Sequence, residues 1–170
     1  MGIIPARTRS VRPFNAKFID LIIPLQPTAR FTFPTFGTTV KTNAPFTVSL
    51  AVANFATGNF ASSSTKYLAA PQQVDDAGMI KGYSAIVIEK MISMTDIDPP
   101  SPSIFTFFKG LNTPAVGQQL TANVTGLPAG VYRLSSLLRA ANHQPVITAF
   151  VQHGAIDDVI YVSLIISSLK

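Results

Sequence analysis

Phe46-Thr47-Val48-Ser49-Leu50-Ala51-Val52 alternates large apolar residues with small or polar ones. That period of two is the signature of a strand with one face buried, and it turns Phe46, Val48, Leu50 and Val52 inward. The same reading extends outward from this stretch in both directions. Strands are expected near Phe14 to Ile23, Arg30 to Phe36, Ser84 to Ile92, Ile104 to Phe108, Gln119 to Thr125, Val131 to Leu138, Val146 to His153 and Val159 to Ser167. Turn-forming clusters separate them, among them Asp98-Pro99-Pro100-Ser101-Pro102, Lys109-Gly110 and Gly126-Leu127-Pro128-Ala129-Gly130. Thirteen prolines and ten glycines leave few windows long enough for a helix of three turns. Residues 57–77, rich in Ser, Ala, Gln and Asn, read as a loop with a short helix. Leu134 to Ala141 has leucines at helical spacing, but Val131-Tyr132 at its start favours a strand.

Many short strands with few helices predict an all-β chain, a two-sheet antiparallel sandwich of either jelly-roll or immunoglobulin-like type. Eight core strands behind a leader favour the eight-stranded jelly roll with an N-terminal arm. The organisation expected is a basic arm over residues 1–13 and one sandwich domain over 14–170, since no internal stretch reads as a linker.

Charge is distributed unevenly. Up to Lys41, the bases Arg7, Arg9, Arg12, Lys17, Arg30 and Lys41 face the single acid Asp20, and this segment carries the whole net +5 of the chain. From Thr42 onward seven bases meet seven acids. Guanidinium groups among small hydroxyl residues suit phosphate contacts without base readout, so Arg7, Arg9, Arg12 and Lys17 are the candidate nucleic-acid-binding residues. Only 12% of residues are charged and 47% are hydrophobic, with a positive mean hydropathy. No apolar run approaches the roughly 18 residues of a membrane helix, so no membrane partner is expected and the apolar surplus points to self-association. Met1 to Arg12 has no apolar stretch ahead of a cleavage site, which reads against a secretory signal and for synthesis in the cytoplasm.

Chemistry has few candidates. The chain has no cysteine, which excludes disulfides and thiolate sites. Asp96 and Asp98 sit two residues apart, on one side of the segment if it is extended, where calcium could take their oxygens. Asp75-Asp76 or Asp157-Asp158 would complete the set, and the competing reading is that these aspartates cap turns. No other cofactor is expected. His143 and His153 are the only neutral-pH bases, and both read as surface or hydrogen-bonded residues; no G-x-S-x-G is present. Glu89 has Lys90 beside it, but adjacent strand residues point to opposite faces. Asn123-Val124-Thr125 fits the glycosylation acceptor pattern, read here as chance. Phe31, Phe33, Phe105, Phe107 and Phe108 alternate as core or interface residues do. An enzyme is not expected.

The Arg-x-Arg-x-x-Arg leader, the cysteine-free neutral body, the strand count and the apolar content together resemble small single-jelly-roll viral coat proteins. The resemblance implies two four-stranded sheets, self-assembly into a closed capsid shell, and an inward-facing arm on packaged viral RNA or DNA. It also implies a virion as the location, after synthesis in host cytoplasm. The alternatives are another self-assembling β-protein, such as a phage decoration or tail component or a surface filament subunit, and a monomeric ligand-binding sandwich.

Overall fold

The computed structural model describes residues 25–165, with the exception of Ala69 and of the side chains of residues 65 and 66. The basic arm, with Arg7, Arg9, Arg12 and Lys17, and the strand expected over 14–23 lie outside the described residues. Nine strands and one helical turn follow in order: β1 (Thr28–Phe33), β2 (Thr39–Lys41), β3 (Phe46–Ala53), β4 (Phe55–Ala56), α1 (Ser63–Lys66), β5 (Ile80–Met91), β6 (Phe107–Leu111), β7 (Gln119–Val124), β8 (Gly130–Ala140) and β9 (Val159–Ile165).

They form two sheets. One has the order β1-β3-β7 and is antiparallel throughout. The other has the order β2-β9-β8-β5-β4, and β6 also pairs with β5. Its central pairs are antiparallel, while β2 with β9 and β4 with β5 are parallel. The chain is therefore all-β and sandwich-like. Phe31, Val48, Leu50, Val52, Leu120 and Val124 from the first sheet share one core with Ile86, Ile88, Leu134, Leu138, Val162 and Leu164 from the second. Burying each of the large aliphatic side chains contributes about 1.5–3 kcal/mol relative to leaving it exposed. The alternation along Phe46 to Val52 places Val48, Leu50 and Val52 in this core, with Phe46 half-buried against it.

The order does not reproduce the expected eight-stranded jelly roll of two four-stranded antiparallel sheets. One cause is the segment 146–153, which among the described residues adds no strand to either sheet. The buried amide of Gln72 takes up the backbone of Ile147, its Nε2 donating to the carbonyl at 2.9 Å while its Oε1 accepts the N–H at 2.9 Å. A ladder partner is replaced by one side chain, so the segment docks as a loop. A second cause is the seven residues between β6 and β7, which hold no strand, so among the described residues β7 pairs with β3 alone. Residues 131–138, with their competing helical spacing, lie inside β8.

Two devices fix the sheets relative to each other. Tyr132 is fully buried at the start of β8, and its hydroxyl donates to the carbonyl of Pro128 at 3.0 Å, tying the β7–β8 corner to the strand that leaves it. The β8–β9 loop closes the free edge of β1: Ala29 N–H donates to Ile156 O at 2.9 Å and Phe31 N–H to Asp158 Oδ2 at 2.8 Å. Gly82 on β5 marks the closest approach of backbone, because a Cβ there would run into the Arg139 carbonyl and the Phe55 ring.

Asp157, in the same loop, accepts from the Ser136 hydroxyl at 3.0 Å and the Leu138 N–H at 2.7 Å. Burial pushes its carboxyl above the usual aspartate range, against the lowering effect of those two bonds and of Arg139. Between the ordinary aspartate value and the higher folded one, the native state keeps a proton that the unfolded chain has lost. Stability should accordingly fall as pH rises through that window and level off above it. Denaturant midpoints measured from pH 3.5 to 7 should show this decline in the parent chain and less of it in Asp157→Asn, whose Oδ1 still accepts both bonds. An equally steep decline in the variant would remove Asp157 as its source.

Candidate recognition face

The two sheets turn opposite kinds of surface outward. On the three-stranded sheet the outward rows are Arg30–Ala51–Gln119, Phe33–Ser49–Thr121 and Thr47–Asn123, with Thr28 and Thr32 beside them. Two hydroxyl–amide pairs form there: Thr47 Oγ1 donates to Asn123 Oδ1 at 2.9 Å and Thr32 Oγ1 to Gln119 Oε1 at 3.1 Å. That surface is mainly polar, with Arg30 and Phe33 also exposed on it.

The outward rows of the six-stranded sheet read differently. Across β9, β8, β5 and β6 they run Val159–Ser135–Val87–Phe108, then Tyr161–Arg133–Glu89, with Leu137–Ala85–Gly110 and Ser163–Val131–Met91 on either side. Large exposed apolar residues stand at the margins. Phe108 is 53% exposed and Phe105, whose ring lies 6.0 Å from it, 51%. At the β9 side Phe36, 73% exposed, meets the ring of Tyr161 edge-on at 6.5 Å. Val159 and Ile165 are each about half exposed. An apolar area of this extent, spanning four strands or about 14 Å, is uncommon on a surface that only meets water.

An aromatic cluster closes one end of this face. His143 sits with φ +75°, and its ring is held on three sides. Nε2 donates to Ala61 O at 2.8 Å, since a carbonyl only accepts, and Nδ1 pairs with the Tyr83 hydroxyl at 2.7 Å. Phe60 meets the His143 ring edge-on at 4.8 Å and Tyr67 stacks on it at 5.5 Å. Burial raises the Tyr83 hydroxyl above its ordinary value, with Arg139 opposing and Tyr67 adding to the effect. Asn142, buried next to His143, donates to Ala70 O and to Gln144 Oε1 and thereby fastens the 57–78 loop to the turn after β8. The anchored loop leaves Phe60, Tyr67 and Leu68 facing solvent.

Glu89 lies among these outward residues yet is buried, and its partner is the cross-strand Arg133. Nε and Nη2 of the guanidinium both reach Oε2, at 2.8 and 2.6 Å. The lone glutamate is thereby neutralised in place, and Lys90 beside it takes no part.

Asp96 and Asp98 lie in a turn instead of an extended segment. Asp96 Oδ1 accepts the N–H of Asp98 at 3.1 Å, a turn-capping role. Both line a shallow pocket of about 230 Å³ with Lys90, Met91, Pro99 and Ile104. Asp75-Asp76 and Asp157-Asp158 are not brought to them, and among the described residues no group of three or more His, Asp or Glu is gathered as metal ligands would be. Asp75 caps its own turn, and Asp157-Asp158 serve the β8–β9 loop. His153 is exposed, with Nδ1 on Gly154 O at 2.7 Å. Of the phenylalanines, Phe31 is core, Phe107 packs against it, and Phe33, Phe105 and Phe108 are exposed. Sequence reasoning passed over Phe60, Tyr67, Tyr83 and Arg139. Tyr83 and Arg139 share the outward parity of β5 and β8, a usable signal, but nothing in the 57–70 stretch foretells that it folds over them. Among the described residues no helix is long and apolar enough to cross a membrane.

Residues 29–165 match the CLU5d N-terminal domain family. Pathogenicity cluster 5 protein d of Colletotrichum graminicola is 40% identical over 128 residues, covering 74% of this chain and 27% of that protein. The chain thus spans about a quarter of this curated relative. Among solved structures, the CARDB domain of a Pyrococcus furiosus protein in complex with di-metal ions gives a TM-score of 0.38 at 10% identity, covering 84% of this chain and 94% of that one. Superoxide reductase (neelaredoxin) from Ignicoccus hospitalis gives 0.34 at 10% identity, covering 82% and 80%.

The fungal relative corrects the coat-protein reading. A capsid shell, a virion location and packaged viral RNA or DNA as partner fall with it. The reason the sequence misled is physical: a short basic leader ahead of an apolar β-body is a composition, and many β-proteins share it.

Proposed function

The chain belongs to the CLU5d N-terminal domain family, and from that premise we propose that it is a non-catalytic recognition domain that binds a partner protein through the outer face of its six-stranded sheet. The observation that carries this reading is the contrast between the two outer surfaces. One is a threonine-rich face with two hydroxyl–amide pairs and a single exposed aromatic, Phe33, among its described rows, and the other exposes Phe36, Phe105, Phe108, Val159 and Ile165 at its margins. Interface anchors are enriched in aromatic residues and arginine, the types gathered where Phe60, Tyr67, Tyr83 and Arg139 meet. A sandwich of immunoglobulin type is part of the proposal. It is supported by the β1-β3-β7 and β2-β9-β8-β5-β6 arrangement and by the tyrosine that bonds back across the corner into β8. A role without catalysis is supported by the engagement of both ring nitrogens of His143 and by the pairing of Glu89 with Arg133. The relative's name ties it to pathogenicity, and we extend that setting to this chain as the context in which the partner is met.

Site-specific photo-crosslinking in the source organism tests the assignment. A photoreactive residue at Phe108 or Val159 should give discrete adducts of higher mass, and one at Thr47 or Thr121 should give none. Adducts from the threonine-rich face alone, or equally from both, would sink the reading.

A further inference from the structure

We propose that Ser101, in the loop between β5 and β6, is an acceptor site for a proline-directed Ser/Thr kinase, and that Lys90 receives the phosphate. The site goes beyond the recognition reading and stands whether or not the sheet binds a partner. Its sequence is Asp98-Pro99-Pro100-Ser101-Pro102-Ser103, with one proline directly after the acceptor and another two places before it. Kinases of this class read the following proline by its ring and its missing N–H, a combination that no other residue offers. Pro102 also keeps Ser101 out of the helical region, in the extended form in which a kinase takes its acceptor. Residues 92–106 contain no Lys, Arg or His, so a kinase that reads bases beside the acceptor has nothing to hold.

The fold presents this motif for modification. Fifteen residues separate β5 from β6 without a strand or helix, a length at which loops in compact domains are usually functional. Their hydrogen bonds are local turns, such as Asp98 N–H to Asp96 Oδ1 and Ile104 N–H to Ser101 O, each at 3.1 Å. The tie to the sheet is Thr106 N–H on Ile88 O at 2.8 Å, at the far end of the loop. Ser101 is exposed, so the stretch around it can enter a kinase cleft without disturbing the core. Thr113-Pro114, the other Ser/Thr-Pro pair of the chain, is pinned: Pro114 lies against Gly58, and Ala115 N–H donates to Thr57 Oγ1 at 2.8 Å. Ser93 and Thr95 have Asp96 and Asp98 three places on, but their hydroxyls bond each other at 3.2 Å within a turn.

Ser101 shares a pocket with Lys90, Met91, Asp96 and Asp98, and Lys90 is the one base lining it. Among the described residues the one ion pair is Glu89–Arg133, so neither aspartate holds Lys90. In the transfer step Ser101 Oγ bonds to the γ-phosphorus of MgATP as the bond to the β,γ-bridging oxygen breaks; ADP leaves, and the hydroxyl proton passes to the carboxylate of the kinase. The product carries a charge of about −1.5 to −2. Asp96 and Asp98 repel that charge, and the Lys90 ammonium is the group in the pocket that attracts it.

The test treats the full chain with MgATP and a purified proline-directed kinase of the mitogen-activated class, then maps the product by tandem mass spectrometry. The chain should gain one phosphoryl group, on Ser101. Ser101→Ala should gain none, Pro102→Ala should react severalfold more slowly, and Thr113→Ala should match the parent. No incorporation, or a phosphate mapped to Ser93, Thr95 or Thr113, would overturn the site. The role of Lys90 is read separately by phosphorus NMR of the phosphorylated chain. A neighbouring cation favours the dianion, so the phosphate should take its second charge at lower pH in the parent than in Lys90→Met. Identical titrations would overturn the seat on Lys90.

Discussion

Tyr132→Ala should destabilise the domain by about 3–5 kcal/mol, the range for emptying a large aromatic site in a core. Among the described residues Tyr132 is the largest fully buried side chain; it packs among Leu134, Val162 and the strands facing them, and bonds to Pro128 O across the β7–β8 corner. Single domains keep only about 5–15 kcal/mol in total, so the variant should lose a large share of its stability and unfold at a much lower denaturant midpoint. Tyr132→Phe separates the two contributions. It keeps the ring and removes one hydrogen bond, worth about 1 kcal/mol. The corner assignment requires that small loss; Tyr132→Phe as stable as the parent would show that packing alone holds the corner.

Arg133→Met should cost about 3 kcal/mol, because it leaves Glu89 charged and buried with no partner. The figure lies at the low end for a broken buried pair since the Arg133 side chain is itself 26% exposed and the pair is partly screened. The double variant Arg133→Met with Glu89→Leu should recover most of that loss, as the outer face then gains two more apolar residues and sheds an uncompensated charge. Chemical denaturation of the parent, both single variants and the double variant gives the coupling directly. If Arg133→Met alone matched the parent, Glu89 would have another counter-charge and the neutral centre of the face would need redrawing.

Much of this architecture is legible in the sequence where one face of a strand is buried. Phe46 to Val52, Gln119 to Thr125 and Val131 to Leu138 lie in or against β3, β7 and β8, because alternation fixes which side chains enter the core. The failures have their own causes. Ile104 to Phe108 has the right composition but begins early; β6 starts at Phe107, and Phe105 goes to the outer face. Val146 to His153 reads as a strand from its residues, yet its pairing is settled by Gln72, 75 positions away, which no local pattern encodes. β2 and β4, of three and two residues, are too short to carry a period. Topology followed the count of strands to a jelly roll, whereas order is set by corners such as Tyr132 to Pro128 and by the β8–β9 loop on β1.

The recognition face was less legible still. Val87, Leu137, Val131 and Tyr161 read as strand residues on any parity, and only the register places them in adjoining rows on one surface. The aspartates show the reverse: Asp96-x-Asp98 stands out in the sequence, and in the fold one residue caps the turn of the other. Sequence salience followed charge, while the surface that distinguishes the two sheets is apolar.

An NMR titration of the labelled chain with isopropanol is the most direct measurement of whether the six-stranded sheet carries the recognition surface, because small amphiphilic solvents collect where apolar and polar groups converge. The account predicts shift changes concentrated at Val87, Phe108, Ser135, Val159 and Tyr161, extending to Tyr67, with Thr47, Ser49 and Thr121 silent. Changes centred on the threonine-rich face, or spread evenly over both sheets, would contradict it.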